Sequence, residues 1–154
     1  MKRFRSSARG IVLGVVATLS GFPGIILAQD REPRAVFYSP NISGQNASIF
    51  DGQRRLLSLR PGRFATIELI EGMRLFSASQ DDRPDVKSQI SMGLYSNDTY
   101  YYRLAVQSGK ARLVRVTCQI AERETARSKP IKSTDAAPGV AVLPLPLLLL
   151  FGCH

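Results

Sequence analysis

A single histidine, His154 at the last position, leaves this 154-residue chain without the usual general base. No Ser-His-Asp or Cys-His arrangement can be assembled around it, and no enzymatic activity is expected. Cysteine is nearly as scarce, since Cys118 and Cys153 stand alone, without the paired spacing of a metal site. Acidic residues number 12 against 21 Lys and Arg. Their one cluster, Asp81, Asp82 and Asp85, lacks the alternating oxygens and glycine of an EF-hand loop. No metal or other cofactor is therefore expected. Also missing is an aromatic-interleaved basic motif: the positive charge is spread over many segments, so nucleic acid is not an expected partner.

An uninterrupted apolar run long enough to span a bilayer is absent as well. Residues 1–28 carry Lys2, Arg3, Arg5 and Arg9, then an apolar run from Ile11 broken by Gly21, Pro23 and Gly24, and end on Ala28. A basic start, an apolar middle and a small residue before Gln29 describe a signal peptide, which implies a periplasmic or extracellular mature protein. No Cys follows Ala28, so lipoprotein processing is not available at that site. Removing the four basic residues of that segment leaves 17 against 12 acidic ones, a net charge of +5 instead of +9. The remaining excess suits either a solvated surface or an anionic partner.

What is present is turn chemistry. Between Ala47 and Ser79 four short apolar runs are separated by Asp51-Gly52, Pro61-Gly62 and Glu71-Gly72. Gly52, Gly62 and Gly72 supply the positive φ of tight turns, so each pair is expected to close a hairpin. Further strands are expected at Ala35–Ser39, Ser88–Leu94, Thr99–Val106 and Ala111–Gln119, with a short helix over Ile120–Lys129. Alternation puts Tyr100, Tyr102, Leu104 and Val106 on one face and Tyr101 on the other. In the following strand Val114, Val116 and Cys118 are expected inward, with Leu113, Arg115 and Thr117 opposite. Seven or eight short strands with a late helical turn read as an all-β sandwich over residues 35–127.

The runs Ala47–Phe50, Asp51-Gly52, Pro61-Gly62 and Glu71-Gly72 resemble the PEGA type of surface hairpin module. The stretch from Ala35 to about Arg127, three fifths of the chain, also resembles an uncharacterised family of small bacterial envelope proteins, many of them lipoproteins. In that family a Tyr-Tyr strand, here Tyr100-Tyr101, and a short acidic helix follow a similar hairpin. The resemblance implies an antiparallel, transthyretin-like β-sandwich of about seven strands with a short C-terminal helix, exported to the envelope. The chain departs from the family in lacking a lipidation Cys and in its apolar ending.

For function the expectation is an envelope-associated binding or interaction module, with a carbohydrate- or peptidoglycan-binding module as the alternative. Tyr101, Arg103 and Arg115 are the candidate surface contacts, facing an unknown partner protein or envelope polysaccharide. Cys118 reads either as a small buried hydrophobe or as half of a disulfide with Cys153, which an oxidising compartment permits. Asn41, Asn46 and Asn97 all lie in N-x-S/T sequences, glycan acceptors in one cellular setting and ordinary turn residues in another. Residues 128–139 read as a linker and 140–154 as an apolar tail with six leucines between Val140 and Phe151. Pro144 and Pro146 deny that tail a regular helix. It is expected to be separable from the domain, packing on it, touching a membrane or serving as a sorting signal.

Overall fold

The strand Arg34–Ser39 (β1) has both faces buried, with Ala35, Val36, Phe37 and Tyr38 all 0% exposed. Such a strand needs a neighbour on each edge and a cover on each face. The computed structural model describes residues 31–41, 45–144 and 153, and shows how both needs are met. The expected signal peptide, residues 1–28, lies outside the described residues.

Eight further strands follow: Ala47–Asp51 (β2), Arg54–Leu59 (β3), Arg63–Glu68 (β4), Gly72–Ser79 (β5), Ile90–Leu94 (β6), Thr99–Gln107 (β7), Lys110–Val116 (β8) and Lys129–Pro130 (β9). One helix, Cys118–Thr125 (α1), stands between β8 and β9. The strands form two sheets, β8-β7-β1-β4-β9 and β3-β2-β5-β6. The all-β class expected from the turn spacing therefore holds, with two sheets and one short helix.

Three features differ from the expectation. Only Asp51-Gly52 closes a hairpin, β2–β3. Pro61-Gly62 and Glu71-Gly72 instead carry the chain from one sheet to the other, since β3 and β5 lie in the four-stranded sheet and β4 in the five-stranded one. All three glycines have positive φ (57°, 68° and 128°), but that torsion permits a reversal without naming the strand that comes next. At Gly62 a side chain is excluded twice over, because a Cβ there would also overlap the Asn41 side chain. Nor is the sandwich purely antiparallel: β1 pairs β7, and β4 pairs β9, in parallel.

The core between the sheets is built on three rings. Phe37 stacks on Tyr102 at 5.1 Å between centroids, and Phe76 meets both edge-on at 5.5 and 5.4 Å. Ile49, Leu57, Leu59, Ile67, Leu94 and Leu104 pack around them. In β8, Ala111 and Leu113 join this core, while Val116 and Cys118 pack in a second cluster with Val36, Tyr38, Phe64 and Tyr101. The expected inward face of β8 is thus reversed. Alternation could not choose between the faces, because Leu113 lies on one and Val114 and Val116 on the other, where they are half-buried beside α1.

The expected linker is part of the folded domain. Lys129 N–H donates to Gly62 O at 2.9 Å and Ile131 N–H to Phe64 O at 2.9 Å, which adds β9 to the sheet. Ala137 N–H then bonds Leu56 O on β3, and Leu143 N–H returns to Thr66 O on β4, each at 2.8 Å. Ile131 is buried, and Ala136, Val140 and Val142 pack on the core. Residues 129–143 therefore seal the β3–β4 side of the sandwich. The rest of the tail, 145–152 and 154, lies outside the described residues. Deleting residues 129–154 should lower the melting temperature of the remaining domain, measured by calorimetry. An unchanged melt would mean that the seal contributes nothing.

Tyr102 supplies a sharper test. It is fully buried, and its hydroxyl has no hydrogen-bond partner among the described residues. Burial pushes that hydroxyl up from the ordinary 10 to about 12, with Arg115 pulling slightly the other way. Tyr102→Phe should be neutral or stabilising, because it removes an unpaired polar group but keeps the ring stack. Tyr102→Ala should cost about 3–5 kcal/mol, as deletion of a buried aromatic does. A folded-state value above the unfolded one means stability is intact below pH 10 and is lost as pH rises towards 12. Urea melts of Tyr102→Phe should show a smaller loss across that window than the wild type.

Candidate functional site

β8 ends at Val116, and the chain turns at once into α1, with Thr117 in an extended conformation at the N-cap. The helix lies on the outer face of the five-stranded sheet because Ala121, fully buried, allows close approach to that cluster. Thr125, also buried, donates its hydroxyl back to Ala121 O at 2.6 Å. That bond satisfies a polar group that would otherwise be dry.

Glu124 holds the helix to the sheet. The Tyr38 hydroxyl donates to Glu124 Oε2 at 2.6 Å, and Arg103 Nη1 donates to Oε1 at 2.8 Å. Burial first, and then the bond to Glu124 and its charge, hold the Tyr38 hydroxyl well above its ordinary value, with Arg103 opposing. Tyr38 thus stays a neutral donor at any ordinary pH. The second tie is covalent. Cys118 is joined to Cys153 across 35 positions, with their Cα atoms 5.7 Å apart, so the alternative of a free thiol at Cys118 does not hold. Tyr101 Oη lies 3.5 Å from Cys118 Sγ.

Between α1 and the β7–β8 hairpin is a cleft of about 710 Å³, in the size range of ligand-binding clefts. Val114, Val116, Ile120 and Tyr101 give it an apolar floor, and Thr99, Thr117 and Arg103 give it polar edges. Arg115 stands at its rim, its guanidinium 5.3 Å from the centroid of the Tyr100 ring. No carboxylate pairs with Arg115 among the described residues, whereas Arg103 is neutralised by Glu124. The cleft therefore offers one uncompensated cation beside an apolar surface. A smaller hollow of about 400 Å³, near Asp85, Lys87 and Arg112, has no comparable apolar floor.

All three candidate contacts, Tyr101, Arg103 and Arg115, line this one cleft. Their roles differ from the expectation. Tyr101 points outward from the sheet as alternation required, but α1 covers it and leaves it 7% exposed. Arg103 is engaged by Glu124. Arg115 alone is both exposed and without a counter-charge. Glu124 and Ile120 were missed by sequence reasoning: Glu122, Arg123, Glu124 and Arg127 read together as the exposed face of the helix, whereas Glu124 turns to the sheet and meets Tyr38 and Arg103. The outer apolar positions Val36 and Tyr38 were the available signal, since an outward apolar stripe needs a cover. Among the asparagines, Asn97 serves the β6–β7 turn at φ 67°, its Oδ1 accepting from Arg31 N–H at 2.9 Å. Among the described residues no group of three metal-ligating side chains gathers.

Glu124→Ala should cost about 1–3 kcal/mol, because it strands the buried Tyr38 hydroxyl. Glu124→Gln, which keeps an acceptor for Tyr38 and loses only a half-exposed ion pair, should cost about 1 kcal/mol or less. Equal losses in urea melts would mean that the ion pair, and not the Tyr38 bond, holds the helix.

No family model, no curated protein and no solved structure matches this chain.

Proposed function

We propose that this protein is an exported, non-enzymatic β-sandwich module that binds an apolar, acid-bearing segment of a partner protein in the α1–β8 cleft. The observation that carries the reading is the pairing of an apolar floor with Arg115, a cation that no carboxylate among the described residues neutralises. A buried apolar contact supplies most of the affinity in such a site, and a single fixed charge sets orientation. Export is supported by the basic and apolar pattern of residues 1–28 and by the Cys118–Cys153 bond, which suits an oxidising compartment. A transthyretin-like sandwich is supported by the sheet orders β8-β7-β1-β4 and β3-β2-β5-β6, in which the chain alternates between the sheets.

The carbohydrate-binding alternative has one observation in its favour, the Tyr95 ring at 64% exposed. A sugar platform gains from a second exposed ring, but Tyr100 carries Arg115 on its face and Tyr101 is covered by α1.

The test is co-purification from an envelope extract, paired with sedimentation against purified cell-wall polysaccharide. The wild type should retain a protein partner that is lost with Ile120→Lys and weakened about tenfold by Arg115→Ala, the order expected for one hydrogen-bonded charge. Arg83→Glu, exposed and outside the cleft, should leave retention unchanged. Polysaccharide binding that disappears with Tyr95→Ala would replace this reading with the alternative. Export is checked separately: the mature protein should begin at Gln29, and a chain still starting at Met1 in the membrane fraction would contradict it.

A further inference from the structure

Of the four sheet edges, three are guarded and one is open among the described residues. An unguarded edge strand is a template for pairing, and proteins block it with charges, proline, short length or a covering segment. At the β3 edge, Leu57 bridges to Ala136. The β9 edge is two residues long and includes Pro130. The β8 edge carries Lys110, Arg112 and Arg115. The remaining edge, β6, reads Ile-Ser-Met-Gly-Leu, with no charge and no proline, and pairs only with β5 among the described residues.

The largest exposed apolar side chains gather beside that edge. Met73 is 72% exposed and pairs with Gly93, over which the Tyr95 ring also lies. A Cβ at Gly93 would meet the Tyr95 hydroxyl at 3.3 Å and Met73 Sδ at 3.5 Å, so the two side chains form one surface. An apolar patch bordering an unpaired strand is an interaction surface, not scattered exposure.

We propose that this edge pairs with a second copy of the chain, β6 against β6 antiparallel about a two-fold axis near Met92, joining two four-stranded sheets into one of eight. A two-fold contact must be complementary to itself. The strand meets that demand, because antiparallel pairing about Met92 sets Ile90 against Leu94 and Ser91 against Gly93, with no charge facing charge. Charge complementarity at the ends selects the antiparallel arrangement. Lys87 stands just before β6, and Glu71 stands at the other end, where Ser96 donates to its carboxylate. Antiparallel pairing brings each Lys87 towards the other copy's Glu71, whereas parallel pairing would set like against like. The opposing charge is Arg115, 3.3 Å from Met92 Sδ, and its stacking on Tyr100 holds it on the core side of the strand. This surface meets the α1 cleft at Arg115, so the two readings are told apart through Ser91, Lys87 and Glu71, none of which lines that cleft.

Sedimentation velocity of the purified protein over the micromolar range tests the proposal. The wild type should form a dimer. Ser91→Lys, a charge placed on the open edge at an exposed position, should weaken it at least about tenfold. Lys87→Glu should weaken it about tenfold through two symmetric repulsions, and adding Glu71→Lys should restore it to within about twofold. Thermal melts report folding of each variant. Should Ser91→Lys fail to fold, the charge exchange between two exposed residues decides alone. A protein monomeric at every concentration, or a dimer indifferent to the charge exchange, would overturn the proposal.

Discussion

The constraint on which the structure depends is the dryness of both faces of β1. Phe37 fills the space between the sheets and is covered by Phe76 and Tyr102. Val36 and Tyr38 point the other way, to a side where a two-layer sandwich has nothing to offer. Each such residue contributes about 1.5–3 kcal/mol only if something excludes water from it. The chain therefore needs a third layer, and α1 supplies part of it. Glu124, Ala121 and the disulfide follow from that need. They are the polar anchor, the close-approach residue and the covalent tie of a cover that would be marginal as an isolated eight-residue helix.

The same layer makes the cleft. A short helix cannot cover the whole outer face of the β7–β8 hairpin, so Val114 and Val116 are left half-buried beside it. Apolar floor and helix edge thus arise together, and Arg115 reaches the rim from the opposite face of β8. The disulfide adds a constraint from further along the chain. Leu143 is fixed on β4 and Cys153 at the start of α1, and these two points stand on either side of β1. An entropic treatment gives a cross-link of this loop length about 3–4 kcal/mol. Much of that would act on the cover rather than on the core between the sheets.

Local chemistry was legible in the sequence, and long-range placement was not. The alternation of Tyr100, Tyr102 and Leu104 assigned the core face of β7 correctly, since Arg103 interrupts the opposite face and makes the two distinguishable. In β8 the run Leu113-Val114 is apolar on both sides, and the pattern carries no sign. The unbroken Ala-Val-Phe-Tyr of β1 announced a strand buried on both faces, which is the information needed to place α1. Gly62 and Gly72 marked reversals, but sheet membership after a reversal depends on pairing partners tens of residues away. The misreading of residues 128–139 has a similar cause. Pro130, Ser133 and Pro138 look like linker composition, yet the segment's contribution is made through backbone donors and small apolar contacts that composition does not display.

Closure of the sandwich is unequal, and the inequality bears on how the molecule meets others. Residues 129–143 bind along β3 and β4 through backbone hydrogen bonds to Leu56, Phe64 and Thr66. On the opposite side β8 packs against β5 and Arg115 reaches from β8 to Met92, while β6 pairs with β5 alone among the described residues. Along β6, by contrast, the described residues leave Met73 and Tyr95 exposed and the outer backbone groups of the strand without a partner strand. Water can satisfy the backbone groups but not the apolar ones. The open side is thus where association gains most, while the sealed side contributes stability to the single chain.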